Sequence, residues 1–418
     1  MDTLINRVIT RVARRQINRS MTFSPQESPA LPPADKKGKR LLYLHVPFCE
    51  RLCPYCSFNR VPFEEKLCRA YFSALRKEIL LYRDKGYDFN GIYVGGGTPT
   101  VLVDELESTL SLARECFSVG EISVETNPDH LTEGRLVPLE RAGVKRLSVG
   151  IQSFDDALLK AMDRYDKYGS GRRIAERMKS VMGRFDTLNA DMMFNFPSQT
   201  GASIENDLDT LAEIAVDQVT YYPLMVSDST RRQVEKVLGS VDEGREYGYY
   251  RLISRRILEE YRFSSAWCFS RKTAEAVKIV DEYVVDYDDY AGLGSGSIGY
   301  LDGVCYANTF NIEDYIHCVG MGRIPLMASR TFGIKERVHY DFLMKLFGGS
   351  LDLIALGKKY GVSLYRYLWL PIFFFRLVGG IERRGNRLFL TERGRYQWVV
   401  MMREFFTAVN NFRDFCRS

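Results

Sequence analysis

The sequence predicts an α/β protein: a partial, open β/α barrel of about six parallel strands with a smaller C-terminal helical, winged-helix-like domain. Two patterns carry this expectation. Between Arg40 and Val226, short β-rich runs alternate with helical stretches, as in a parallel sheet with helices packed outside it. After about residue 330 that alternation gives way to successive helices and one short hairpin.

The strand runs are Leu41–Val46, Gly91–Val94, Glu121–Glu125, Arg146–Gly150, Leu188–Met193 and Gln218–Tyr222. The helical stretches between and after them are Glu64–Arg83, Val103–Cys116, Glu133–Ala142, Asp155–Met162, Ser170–Met182 and Ile204–Ile214. Sheets of this kind place their chemistry at the C-terminal ends of the strands. Beyond them, Tyr340–Phe347, Leu353–Tyr360 and Tyr365–Leu377 read as helices, Gly385-Asn386 as a hairpin turn, and Glu392 to Phe415 as a last helix. The division expected is a basic extension and linker at 1–39, a catalytic domain at 40–325 and a lid-like domain at 326–418.

In the extension, Leu4, Val8 and Val12 fall on one helical face with Arg7, Arg11, Arg14 and Arg15 around it. Such a helix either lies on a membrane surface or folds back over the catalytic domain, and the second reading is preferred. Ser24 to Lys39, rich in proline and charge, reads as a linker.

The net charge of +5 does not call for nucleic acid, and 45% hydrophobic residues suffice for a large core. The longest apolar run, Leu368 to Ile381, is broken by Pro371 and Arg376 and is too short to span a bilayer. Without a secretory signal, a soluble cytoplasmic monomer is expected. The nine cysteines are sparse for a disulfide framework, yet three fall within eight residues.

Those three stand in Tyr43-Leu-His45-Val-Pro47-Phe48-Cys49-Glu-Arg-Leu-Cys53-Pro-Tyr-Cys56, directly after the first strand. Three thiolates at this spacing can wrap one inorganic core and leave one metal position open. The alternative is a zinc site with His45 or a distant cysteine as fourth ligand, though His45 on the strand is awkwardly placed for it.

The Cys-x3-Cys-x2-Cys spacing resembles that of radical S-adenosylmethionine (SAM) enzymes. The longer string through Tyr43, His45, Pro47 and Phe48 is similar to the oxygen-independent coproporphyrinogen III oxidase family, which also contains heme chaperones, heme-degrading enzymes and methyltransferases. The resemblance implies a [4Fe–4S] cluster on Cys49, Cys53 and Cys56, whose open iron chelates SAM. One electron then releases a 5′-deoxyadenosyl radical that abstracts hydrogen from the substrate. It also implies catalytic roles for Tyr43 and His45.

Further matches follow the same strands. Gly95-Gly96-Gly97-Thr98 resembles the loop for the SAM methionine group, since consecutive glycines let backbone approach a ligand closely. Glu125 is placed to accept hydrogen bonds from SAM, Gln152 and Asp191 match ribose-contacting positions, and Arg164 matches an arginine for the SAM carboxylate. Gly292 to Gly299 contains a G-x-G-x-x-G string, but no helix follows it, and Tyr300 to Gly303 reads as a turn. By resemblance this stretch closes the barrel, with Ile298 against adenosine. Three departures loosen the substrate assignment: Asp166 stands where relatives have histidine, Asn195-Phe196-Pro197 where they read Gly-Leu-Pro, and Phe58 where some oxidases have a fourth cysteine.

The implied function is reductive SAM cleavage with oxidative decarboxylation of a tetrapyrrole, supported by a donor such as flavodoxin or ferredoxin. A heme chaperone with His317 or His339 as axial ligand, an anaerobic heme-degrading enzyme and a C-methyltransferase are the alternatives. A nucleic-acid reading of the basic C-terminus is set aside, because basic faces are usually solvated.

Overall fold

Near-continuous apolar runs suit strands buried on both faces, and the computed structural model places six of them side by side. They are β1 (Arg40–Val46), β2 (Gly91–Gly96), β3 (Glu121–Thr126), β4 (Arg146–Gln152), β5 (Thr187–Phe194) and β6 (Gln218–Pro223), parallel and in chain order. The structure describes residues 2–20, 29–34, 38–226, 228–272 and 287–417.

Helices cross between the strands, and their ends follow local chemistry. The Asp155 side chain accepts from the Ala157 and Leu158 amides, and Thr200 with Ser203 forms a capping box that opens Gly201–Ile214.

The sheet is wider than the sequence suggested. Antiparallel β7 (Tyr261–Phe263) and β8 (Cys268–Arg271) extend it beyond β6. On the other side β9 (Asp289–Leu293) pairs parallel with β1, followed by antiparallel β10 (Ile298–Leu301), β11 (Val304–Asn308) and β12 (Leu326–Thr331). The resulting twelve-stranded sheet is a mostly parallel, partial barrel. The Gly292–Gly299 stretch is the β9–β10 connection, not a nucleotide loop. Tyr300 and Leu301 belong to β10, so the turn expected there is confined to Asp302-Gly303, both at positive φ.

The C-terminal part has helices Ile334–Phe347, Leu353–Tyr360 and Tyr365–Leu377, then the hairpin β14 (Ile381–Arg384) and β15 (Arg387–Leu390). Gly385 in the turn has φ +59°, and β13 (Ser350–Asp352) adds a third strand. The closing helix is Glu392–Arg417, where Trp398 is fully buried and donates to the Leu343 carbonyl at 2.9 Å. One hydrophobic cluster runs from Leu42 and Val94 in the barrel to Leu346 and Trp398 here.

The N-terminal helix Asp2–Ser20 folds back onto the closing helix. Its buried stripe is Ile9 and Ala13, with Ile5 packed beside them, whereas Val8 and Val12 are exposed. The face named from sequence is therefore one residue out of phase with the buried one. The Arg14 guanidinium pairs with buried Glu404 at 2.7 Å, which fixes the helix's rotation. Half of the linker reading, at 24–28 and 35–37, lies outside the described residues.

Candidate active site

Beyond β1 the chain turns into a two-residue strand, Phe48–Cys49, that pairs with Val61–Pro62, so the loop between them is pinned at its base. Cys49, Cys53 and Cys56 on that loop line one cavity. The Arg60 guanidinium donates to the carbonyls of Cys53 and Cys56 at 2.5 and 3.1 Å, holding the loop's shape from behind. Thr98 Oγ1 donates to Cys49 Sγ at 3.8 Å, and Arg164 Nη1 lies 3.6 Å from Cys53 Sγ. Without metal, burial pushes the Cys49 thiol up to about 11.

The glycine loop after β2 straps onto this loop from one side. The Gly97 and Thr98 amides donate to the Val46 and Phe48 carbonyls, both at 2.8 Å. A Cβ at Gly97 would stand 2.6 Å from the Phe48 oxygen and 3.0 Å from Cys49 Sγ, so only glycine fits there. Gly96 has φ +117°, and a Cβ on it would strike the His45 ring.

Carboxylates fill the neighbouring strand ends. Glu125 accepts from Tyr93 Oη at 2.8 Å and from the Gly96 amide at 3.2 Å. Burial, reinforced by the Asp191 charge, pushes its carboxyl up to about 7. Asp191 accepts from Ser148 at 2.6 Å and Asn189 at 2.8 Å, and burial raises it too. Gln152 ends β4 at φ +76°, a strained conformation for a non-glycine residue that turns it to the cavity. Arg164 is buried, donates to the Gly150 carbonyl and stacks over Tyr168 at 4.2 Å, with its Nε unpartnered.

A second, aromatic chamber adjoins the first and shares Tyr43, Phe58, Phe406 and Asn410 with it. Tyr290, Tyr300, Phe310, Phe332, Tyr340 and Phe405 line it further. The buried Tyr300 hydroxyl has no hydrogen-bond partner there.

The structure thus brings Tyr43, the three cysteines, Gly96, Gly97, Thr98, Glu125, Gln152, Arg164 and Asp191 into one cavity. Gly95 lies behind it, against Glu125. His45 and Ile298 line the aromatic chamber instead. Both His45 nitrogens are engaged: Nε2 donates to the Asn59 carbonyl and Nδ1 accepts from Tyr43 Oη, each at 2.9 Å. Burial lowers this imidazole to about 4, so it is neutral and holds Tyr43 in place.

Sequence reading passed over several lining residues. Asn127 donates to Thr98 at 2.9 Å, and its place after β3 was a signal for it. Trp267, Phe406 and Asn410 arrive through tertiary packing alone; Asn410 donates to Ser57 in the cysteine loop at 2.8 Å. Two departures gain a physical reading. Asn195 takes φ +69°, the conformation glycine favours and asparagine tolerates. Phe58 stands at the junction of cavity and chamber.

Residues 43–211 match the family described as the Radical SAM superfamily. The chain therefore carries a radical SAM domain. It is 26% identical over 370 residues to the heme chaperone HemW of Bacillus subtilis, covering 84% of this chain and 95% of that one. To the oxygen-independent coproporphyrinogen III oxidase of Bradyrhizobium diazoefficiens it is 27% identical over 349 residues, covering 77% and 76%. To the anaerobilin synthase of Escherichia coli O157:H7 it is 29% identical over 311 residues, covering 69% and 67%. Coproporphyrinogen III oxidase (HemN) from Escherichia coli shares its fold, with a TM-score of 0.72 at 19% identity over 93% of each chain.

A radical SAM protein takes a [4Fe–4S] cluster and SAM, and the cavity fits both. Among the described residues, only Glu50, Asp129 and His130 bring three metal-binding side chains within 4.8 Å of one another. The three cysteine sulfurs therefore do not all lie within 4.8 Å of one another, so at least one pair is wider than the about 3.8 Å that a tetrahedral zinc site sets between thiolates. Lys167 already sits on Glu50 at 2.5 Å, so that acidic group is neutralised by its own chain. The glycine loop clears space beside Cys49, and the buried carboxylates and Arg164 offer groups complementary to an amino acid's charges and to the hydroxyls of a ribose.

Proposed function

We propose that this radical SAM protein cleaves SAM reductively in the cysteine cavity and acts on a tetrapyrrole in the aromatic chamber, in the manner of an oxygen-independent coproporphyrinogen III oxidase. The observation that supports this is the shared wall: Tyr43, Phe58, Phe406 and Asn410 face both spaces. A tetrapyrrole there would lie beside the place where the radical forms.

When bound, the cluster and SAM supply a one-electron cleavage that gives methionine and a hydrogen-abstracting 5′-deoxyadenosyl radical. Cys49, Cys53 and Cys56 would hold the cluster. Arg164 would pair with the SAM carboxylate, Glu125 would accept from its amino group, and Gln152 and Asp191 would hold the ribose. The glycine loop, closed by its bonds to Val46 and Phe48, keeps water from the cavity on one side. Neutral His45 orients the Tyr43 hydroxyl at the junction. A propionate that reacts would give a hydrogen atom to that radical and one electron to an outside acceptor, releasing carbon dioxide and becoming a vinyl group.

The heme chaperone relatives favour a carrier as the second reading. All four histidines speak against histidine ligation in the chamber. His45 and His130 are hydrogen-bonded and buried, His339 is bonded to the Tyr367 carbonyl, and His317 is on the surface. Cys305, Met344, Met402 and the chamber tyrosines, Tyr300 with its unpartnered hydroxyl among them, are the ligands a carrier would have to use.

The test is anaerobic incubation of the reconstituted protein with SAM, dithionite and either coproporphyrinogen III or heme, with products read by mass spectrometry. Loss of carboxyl mass with stoichiometric 5′-deoxyadenosine is expected. Tight heme binding with an unchanged macrocycle and no 5′-deoxyadenosine assigns the carrier instead.

A further inference from the structure

Helix Tyr365–Leu377 has an apolar side that none of the described residues covers. Its inner residues, Leu368 and Phe375, are buried, Phe375 packing 4.8 Å from the Trp398 ring. On the outer side Tyr365, Trp369, Leu370, Phe373 and Leu377 are 78%, 50%, 56%, 61% and 74% exposed. At 3.6 residues per turn these five fall within an arc of roughly 140°. Five large apolar side chains on one thirteen-residue helix form a contiguous patch, not the scattered exposure usual on a soluble surface.

Charge decides what fits it. Arg366 and Arg376 are exposed and lie inside the same arc, and among the described residues neither has an acidic partner. From Leu353 to Ile381 the chain contains no Asp or Glu at all. A second copy of this face would bury arginines against arginines with no carboxylate to neutralise them, which is strongly unfavourable. A lipid surface meets both requirements, because aromatic and aliphatic groups enter the acyl boundary while arginines reach outward to phosphates.

We propose that the outer face of Tyr365–Leu377 is a docking surface that seats the protein peripherally on an anionic bilayer. The helix lies in the interface plane and does not cross the membrane. His339 Nε2 bonds the Tyr367 carbonyl at 3.0 Å, and the same helix carries Tyr340 and Met344 of the aromatic chamber. Docking thus holds one chamber wall close to the lipid. The proposal stands independently of the reaction assigned above.

The chain carries its own reporter. Of its three tryptophans, Trp267 and Trp398 are buried and only Trp369 is exposed, so a change in polarity at the patch reads out directly. The intact, cluster-loaded protein is mixed with vesicles of phosphatidylcholine and phosphatidylglycerol, then with vesicles of phosphatidylcholine alone. A blue shift of emission and flotation with the anionic vesicles are expected, weakened by salt. Leu377→Ser and Phe373→Ser should each lower partitioning about tenfold or more. Arg366→Gln and Arg376→Gln should each lower it roughly fivefold. All four residues are exposed, so thermal melts and the cluster spectrum should not change. Absence of flotation, or flotation indifferent to these substitutions, overturns the proposal. So does a concentration-dependent dimer abolished by Phe373→Ser without vesicle binding, which assigns the face to a second copy.

Discussion

The cysteine cavity and the aromatic chamber share a wall but are assembled from different parts of the chain. The cavity's chemical groups lie on the ends of β1 to β5 and the loops that follow, from Tyr43 to Met193. The chamber draws on His45, Ile298, Tyr340 and Phe405, brought together by the β9–β10 hairpin, helix Ile334–Phe347 and the closing helix. The first is rigid scaffold chemistry at strand ends. The second is a packing product, and its shape depends on how the C-terminal helices sit on the barrel. The difference predicts that the two can be broken separately.

The largest effect belongs to the cysteines. Cys53→Ser should abolish the cluster absorbance and 5′-deoxyadenosine formation, with activity down by more than about a thousandfold, since the group that performs the chemistry is gone. Circular dichroism should be unchanged, because the loop is pinned by Val61 and Phe63 amides bonded to Pro47 and Cys49 carbonyls, not by the thiol. Heme or porphyrin binding in the chamber should survive.

Next are the carboxylates. Glu125→Gln and Asp191→Asn should each weaken SAM binding by about ten- to a hundredfold, the range for losing a charge-assisted hydrogen bond. A pH signature identifies Glu125. Its carboxyl is held up to about 7 by burial and by Asp191, and the ionised form is the one that accepts from SAM. Affinity should therefore rise between pH 6 and 8 in the parent protein and stay flat in Glu125→Gln. Isothermal titration across that range, with the cluster intact, checks it.

A smaller effect is expected on the chamber side. Phe406→Ala opens the shared wall and removes a ring from beside Trp267, 5.7 Å away. Tetrapyrrole affinity should fall about tenfold, as for a truncated buried apolar contact. SAM cleavage without substrate should persist, and that separation is the decisive readout.

The same division explains what the sequence made legible. Cys49, Gly97, Glu125 and Asp191 were visible because each stands at or just after a strand whose apolar run announces it. The six parallel strands were placed to within a residue or two for the same reason. The five antiparallel strands β7, β8, β10, β11 and β12 escaped because runs of three to six residues outside the strand–helix alternation carry too little period to read. Phe406 and Asn410 showed helical spacing, but spacing gives a face and not what it faces. The N-terminal helix is the instructive miss. Val8 and Val12 looked like the buried stripe by size, but the stripe is Ile9 and Ala13 with Ile5 beside them, because small Ala13 permits close approach and Arg14 reaches Glu404 only in that rotation.

That rotation supplies the smallest test. Arg14 is about half exposed while Glu404 is buried, and Glu404 also pairs with Arg403 at 3.1 Å. Arg14→Ala therefore leaves the carboxylate with a partner, and the loss should stay below about 1 kcal/mol, or a drop in melting temperature below about 2 °C. Its direction of action is the informative part. Glu404 is adjacent to Phe405 and Phe406 on the closing helix, so a loosened N-terminal clasp acts on the chamber wall and not on the cysteine loop. A slight weakening of tetrapyrrole binding with an unaltered cluster spectrum is expected. An altered cluster spectrum with unchanged tetrapyrrole binding would mean that the closing helix governs the cysteine cavity through Asn410 and Ser57, and that the two spaces are one mechanical unit.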